Sequence, residues 1–164
     1  MSEKTNFQKV VEFNQAFGLP HFDKPYQDVW DSNPNLVQLR LSLIEEEVNE
    51  LKQSIKDRNM TETLDALTDI LYVVYGAGSS FGLDLDKAFE LVHQSNMSKL
   101  CETEEIAIQT VDDYKKHHSN RYDSPTYRKS KDGKYWIVYN QSTGKILKSI
   151  LYNPVKFDSI LSNN

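Results

Sequence analysis

Two short acidic runs hold the residues best suited to chemistry in this chain. They are Glu46-Glu47-Val48-Asn49-Glu50 and Glu62-Thr63-Leu64-Asp65. Each lies in sequence of helical period, and at about 100° per residue each sets its carboxylates on one side of its helix. Carboxylates that face one another repel unless a cation lies between them. The two runs therefore predict a divalent-metal site built by two helices. Mg²⁺ takes hard oxygen ligands in octahedral array and keeps water and substrate phosphates in its shell. Such an ion offsets the repulsion between an acidic site and an anionic substrate, and a water bound to it or held by a spare carboxylate can attack phosphorus in line. The sequence has no obvious Cys–His pair, no GxSxG elbow and no GxxxxGK[ST] loop, so metal-assisted hydrolysis of a phosphoanhydride is the simplest enzymatic reading. The alternative is a solvated acidic face. Ion pairs four residues apart usually lace such a face, yet here Glu46 meets Glu50, Glu47 meets Leu51 and Glu50 meets Ser54. Without a metal the pair Glu46 and Glu50 costs roughly a few tenths of a kcal/mol.

These carboxylates need helices to position them. A first helix is expected over 5–17, where Phe7, Val10, Val11, Phe13, Asn14 and Phe17 recur at helical spacing before Gly18-Leu19-Pro20. Residues 18–34 read as a loop, with Ser32 or Asn33 as a cap for a second helix over about 35–57 and Pro34 near its first turn. Measured from Glu46, Val37, Leu41, Ile44, Val48, Leu51 and Ile55 form a band at about 180°, the expected core stripe. Leu36, Leu39 and Leu43 lead into Glu46, Glu47 and Glu50 at about 50°. A third helix is expected over about 60–81, capped by Asn59 or Thr61, with Glu62, Asp65 and Asp69 on one side. Gly76 and Gly78 within it mark close helix contact or an early end. Asp84 or Asp86 could cap a fourth helix over about 85–97. Residues 98–118 are charged and weakly patterned, and 119–133 read as a loop. The period then shortens: Lys134–Tyr139 and Lys145–Tyr152 flank Gln141-Ser142-Thr143-Gly144, so a β-hairpin is expected between those two runs. The expected fold is mainly α, a bundle of four to five helices with a C-terminal β-hairpin. The helical domain is placed at 1–118 and a basic extension at 119–164.

Composition narrows the setting. A chain of 164 residues suits one domain, with a small appendage at most. No stretch reaches the roughly 18 apolar residues of a membrane span, and Met-Ser-Glu-Lys-Thr lacks the apolar segment of a secretory signal. The single cysteine, Cys101, cannot form an internal disulfide, which fits a reducing, cytoplasmic compartment. Residues 114–150 hold nine Lys/Arg against two Asp, a balance of +7, so the rest of the chain carries −12 of the net −5. An acidic body with a basic tail suits an anionic ligand; the tail reads equally as a solvated surface. Interleaved cations and aromatics over 114–150 also raise a nucleic-acid-binding or helical oligomerisation role as the rival function, but either leaves the acidic runs without a purpose. Glu90-Leu91-Val92-His93 is a single ExxH, whereas a di-iron bundle needs two. Asn14, Phe17 and Tyr72 could form a base pocket, and core packing explains Phe17 and Tyr72 about as well.

The pattern EExxE followed by ExxD resembles the all-α nucleoside triphosphate pyrophosphohydrolases, the MazG-like group that includes dimeric dUTPases and phosphoribosyl-ATP pyrophosphohydrolases. The residues 43–51 match its first block, Glu62 to Gly76 its second, and His93 to Leu100 its Asn/Lys block. The resemblance covers about residues 7–100. It implies a helical bundle assembled as a homodimer or homotetramer. It also implies conversion of a (deoxy)nucleoside triphosphate to the monophosphate and pyrophosphate with Mg²⁺, or Mn²⁺ in its place. By position it makes Glu47, Glu50, Glu62 and Asp65 metal ligands, and Glu46 a further ligand or the base that orients the attacking water. Asn96 and Lys99 would contact substrate phosphate or sugar. One departure stands out. Many members read Glu-Leu-Ala-Asp directly before the apolar run, where this chain has Ala66-Leu67-Thr68-Asp69. Glu62 and Asp65 keep both carboxylates, with Asp69 competing for the role of Asp65.

Overall fold

The computed structural model describes residues 3–162. In chain order the elements are α1 (Asn6–Ala16), α2 (Val29–Ser32), α3 (Pro34–Lys56), α4 (Met60–Phe81), α5 (Leu85–Met97), α6 (Glu104–His117), β1 (Pro125–Lys129), β2 (Trp136–Asn140) and α7 (Asp158–Leu161). The protein is thus mainly helical, with a two-stranded antiparallel hairpin near its C-terminus. Two compact units divide it. The first takes the chain up to Phe89 and again from Phe157, and the second is Glu90–Lys156.

In the first unit each helix starts and stops for a local reason. The Thr5 hydroxyl accepts from Gln8 N while the Gln8 side chain accepts from Thr5 N, a reciprocal cap that opens α1. Of the two candidate caps for α3, Asn33 serves, accepting from Leu36 N at 3.2 Å with Pro34 in the first turn. Asn59 caps α4 by accepting from the backbone of Thr61 and Glu62. Gly82 ends α4 with φ +68°, and a Cβ there would lie 1.9 Å from the Lys24 carbonyl oxygen. The glycines inside α4 do not end it. A Cβ on Gly78 would meet Leu85 at 2.5 Å, and one on Gly76 would meet Arg40 Nη1 at 3.2 Å. Both are places of close approach.

The antiparallel pair α3 and α4, joined by a three-residue turn, forms the body of this unit, and α1 lies against α4. The buried positions of α3 are Leu36, Arg40 and Ser54, with Glu47 half-buried. Measured from Glu46, they centre at about 100°, between the two expected bands. The expected core stripe is therefore corrected. Leu41 is 48% and Ile55 60% exposed, and on α4 Leu64, Leu67 and Leu71 are exposed as well. Val37, Ile44, Val48 and Leu51 of the same stripe are half-buried, so a single chain covers it only in part.

The second unit corrects the expected hairpin. β2 pairs with β1, from Pro125↔Asn140 to Lys129↔Trp136, and the 145–152 run contributes one bridge, Tyr139↔Ile146. The true turn is Ser130–Gly133. Gly133 has φ +72°, and the Asp132 carboxylate accepts from Ser130 Oγ and Lys134 N. Cys101, Ala107, Val111, Val138 and Leu147 form the core under Tyr114, Tyr122, Tyr127 and Trp136.

Candidate active site

The acidic runs occupy the middle of α3 and the first half of α4. Because the helices are antiparallel, Glu47 and Glu50 face the level of Asp65 and Asp69. The charges of Glu50, Asp69, Glu46 and Asp65 all act on Glu47. Burial foremost, and then these like charges, push the Glu47 carboxyl above the usual carboxylate range. Its Oε2 is buried and accepts no hydrogen bond. A buried carboxylate oxygen without a donor is costly, and four further carboxylates raise that cost. No Lys or Arg forms an ion pair with Glu46, Glu47, Glu50, Asp65 or Asp69 among the described residues. Hard carboxylate oxygens are the donors a divalent cation takes, so the chemistry of this set fits one.

The structure separates the expected ligands. Glu47, Glu50, Asp65 and Asp69 share one electrostatic neighbourhood, with Glu46 beside them. Glu62 is not among the charges that act most strongly on Glu47; it is exposed in the first turn of α4, next to the Asn59 cap. Asp65 and Asp69 lie one turn apart, so α4 offers two carboxylates without Glu62. Among the described residues no three His, Cys, Asp or Glu side chains are drawn close enough to enclose an ion. Glu46, Glu50 and Asp65 extend into solvent, and Glu47 and Asp69 are the half-buried members. The carboxylates share a face without forming a closed cage.

Toward the C-terminal half of α4 the lining becomes aromatic. Phe13 of α1 meets Tyr72 of α4 edge-on at 5.6 Å and stacks on Phe17 at 4.3 Å. Phe17 and Tyr72 are exposed, so neither is a core residue. Asn14, the next residue after Phe13, is buried, and its Nδ2 has no acceptor. Sequence reasoning missed Arg40. It is buried, and its Nε has no acceptor. Its one sequence signal is position, seven residues before Glu47 and so on the same face of α3. A cleft of about 650 Å³ lined by Phe7, Gln8, Val11, His21, Phe22 and Ser79 lies elsewhere in this unit. Ser79 follows Asp69 by ten residues, about 15 Å along α4.

Asn96 and Lys99 belong to the second unit, where Lys99 Nζ donates to Asn96 Oδ1 at 2.7 Å. The basic, aromatic segment there is largely self-satisfied. Lys129 lies over Trp136, Arg128 over Tyr139, Lys148 over Tyr152, and both Arg121 and Lys145 over Tyr122. Ring faces covered by the chain's own cations are not free to stack on bases, which disfavours the polynucleotide-binding rival. No helix among the described residues is long and apolar enough to cross a membrane.

Comparison with known proteins bears on the same stretch of the chain. A protein-family model described as phosphoribosyl-ATP pyrophosphohydrolase matches residues 10–96, the stretch that holds both acidic runs and the aromatic lining. The chain is also similar to the uncharacterized protein L479 of Acanthamoeba polyphaga mimivirus, with 31% identity over 98% of this chain and 97% of that protein.

Proposed function

Since the chain belongs to the phosphoribosyl-ATP pyrophosphohydrolase family, and so to the nucleotide pyrophosphohydrolases, we propose that it hydrolyses the α–β bond of a (deoxy)nucleoside triphosphate. The products would be the nucleoside monophosphate and pyrophosphate. One observation supports this reading above the rest: Glu47, with a buried and unpartnered oxygen, stands among four other carboxylates and no cation. Glu47, Glu50 and Asp65 are the proposed ligands, joined by Asp69. Glu62 stays in the proposed set on sequence grounds alone. A bound Mg²⁺ or Mn²⁺ would neutralise these carboxylates and the phosphate oxygens together. Glu46, exposed on α3 beside this group, is the proposed base that orients the attacking water and takes its proton. Phe17 and Tyr72 offer exposed rings for a base to stack on, and Asn14 offers an amide to its edge. Asn96 and Lys99 remain proposed contacts to phosphate or sugar from the sequence resemblance. A second copy covering Leu41, Ile55, Leu64, Leu67 and Leu71 would give the proposed homodimer or homotetramer, and light scattering measures it. The test of function is direct. Incubation with a panel of nucleoside triphosphates and Mg²⁺ should yield equal amounts of monophosphate and pyrophosphate, and Glu47→Gln should strongly lower both. Release of inorganic phosphate and the nucleoside diphosphate instead, or no Mg²⁺-dependent turnover of any nucleotide, would overturn it.

A further inference from the structure

The mechanism above has no use for Arg40, although the first unit buries it at considerable cost. It is 7% exposed, its Nε has no acceptor, and no carboxylate pairs with it among the described residues. Burial alone pushes the guanidinium pKa down, since no neighbouring charge acts on it. An uncompensated buried cation is unfavourable unless something placed beside it accepts its hydrogen bonds. Asn14, 2% exposed, shows a second buried donor without an acceptor, Nδ2. Thus two polar side chains on different helices, both more than nine-tenths buried, each hold one buried nitrogen donor without an acceptor.

Their placement follows the helices. On α3, Arg40 precedes Glu47 by seven residues; on α4, Gly76 follows Asp69 by seven. Each interval is two turns, about 10.5 Å of rise. Arg40 Nη1 reaches α4 at Gly76, where a side chain would have crowded it, and Val10 of α1 lies at the same level. Asn14 comes one turn after Val10, beside the Phe13–Tyr72 contact. Moving along α4 from the acidic group, one passes Asp69, then Tyr72 with Phe13 and Asn14, then Gly76 with Arg40. A nucleotide is laid out in the same order, with phosphates, sugar, and then the far edge of the base.

Resting on the pyrophosphohydrolase reading, we infer that Arg40, with Asn14, selects a base bearing a carbonyl where adenine and cytosine bear an amino group, as uracil, thymine, guanine and hypoxanthine do. The guanidinium has five N–H donors and no acceptor. A carbonyl oxygen there receives its hydrogen bonds, and the cation makes them strong. An amino group would set N–H against N–H and leave both unpaired, the situation that sites reject most firmly. Since Arg40 and Asn14 are nearly covered, a base reaches them by rotation of side chains around the exposed Phe17 and Tyr72. Gly76 leaves Arg40 the space to adjust.

The experiment measures binding, without turnover, so it stands apart from the assay of function. Calorimetry with Mg²⁺ and the monophosphates dGMP, dUMP, dAMP and dCMP should show the two keto nucleotides binding at least about tenfold tighter than the amino ones. Arg40→Met should remove that preference by weakening only the keto nucleotides, with no loss of melting temperature, because an unpaired buried charge is replaced by an apolar chain of similar length. Arg40→Lys, which keeps charge but loses the planar fork, should fall between. Equal binding of all four, no binding of any, or a preference unchanged in Arg40→Met would overturn the inference. So would a fall in melting temperature with the base ratio intact, which marks a purely structural arginine. Keto-selective binding without hydrolysis would retain Arg40's role and defeat the proposed reaction. Hydrolysis of all bases alike would do the reverse.

Discussion

Glu47 and Asp123 are both carboxylates, one in each unit, and the chain treats them in opposite ways. Asp123 sits at the entrance to β1 and accepts three hydrogen bonds on Oδ1, from Ser142 Oγ at 2.6 Å, Asn140 Nδ2 at 2.9 Å and Ser124 Oγ at 3.0 Å. Those donors, Ser142 first, pull its pKa down to about 2. Glu47 receives no donor at its buried oxygen, and burial with four like-charged neighbours pushes its pKa up. The second unit uses its carboxylate to fasten a turn. The first leaves its carboxylates exposed to one another, which costs stability in the chain alone and is useful only if a cation arrives. Where a fold could have supplied donors and did not, the omission points to a ligand.

The contrast can be tested by removing one member at a time. Glu47→Gln should lower pyrophosphate release by about 100-fold or more, since even the groups behind metal ligands are worth 10–100-fold. Rates measured beside Glu62→Gln and Asp69→Asn sharpen the comparison, because the electrostatic grouping expects Asp69→Asn to cost more than Glu62→Gln. Next in size is the effect of metal on stability. Mg²⁺ at about 100 times its dissociation constant should stabilise the protein by ~2.7 kcal/mol, read as a rise in melting temperature. That rise should be absent in Glu47→Gln and intact in Asp123→Asn. In the second unit, Asn140 is 2% exposed, and its amide bonds Asp123, Ser142, Thr143 and Ser124. Asn140→Ala should cost about 1–3 kcal/mol by denaturant titration and leave the Mg²⁺ response untouched.

The smallest effect is the dependence on pH, and the two carboxylates give it opposite signs. Asp123 titrates lower folded than unfolded, so its contribution is present above its ordinary value of 3.8 and is lost as pH falls toward about 2. Glu47 titrates higher folded than unfolded. Its contribution is present below the ordinary value of 4.5 and lost as pH rises through the raised pKa. Carboxyl resonances followed by NMR would show both. Added Mg²⁺ should draw the Glu47 midpoint down and leave the Asp123 midpoint where it was. A Glu47 midpoint indifferent to Mg²⁺ would remove the distinction between the two units.

The long helices and their ends are legible in the sequence because they rest on local physics. Asn33 and Asn59 cap, Gly82 turns, and the apolar spacing in between is helical. α6 is hidden because its buried face is Ala107, Thr110 and Val111, two small residues and a polar one, set among charges that dilute the period. β1 is hidden because Pro125, Arg128 and Lys129 suggest a loop, and only pairing with β2 makes it a strand. On α3 the strongest apolar stripe is only half covered, with Leu41 and Ile55 exposed, and the fully buried positions lie on a weaker one interrupted by Arg40 and Glu47. Hydropathy ranks faces by their fitness for a dry core, so it misreads a helix whose inner face serves a polar site. The acidic runs were legible as residues. That Asp69 acts on Glu47 more strongly than Glu62 does follows from the pairing of two helices, which no single-helix wheel contains.

Cys101 has a practical consequence. It is the sole thiol, it is wholly buried, its sulfur lies 3.8 Å from Thr110 Oγ1, and its backbone is bridged to Trp136 on both sides. A thiol reagent can reach it only when that packing opens, so the native sequence carries a single-site clock. Its labelling rate reports how often the C-terminal layer breathes, with no engineered probe.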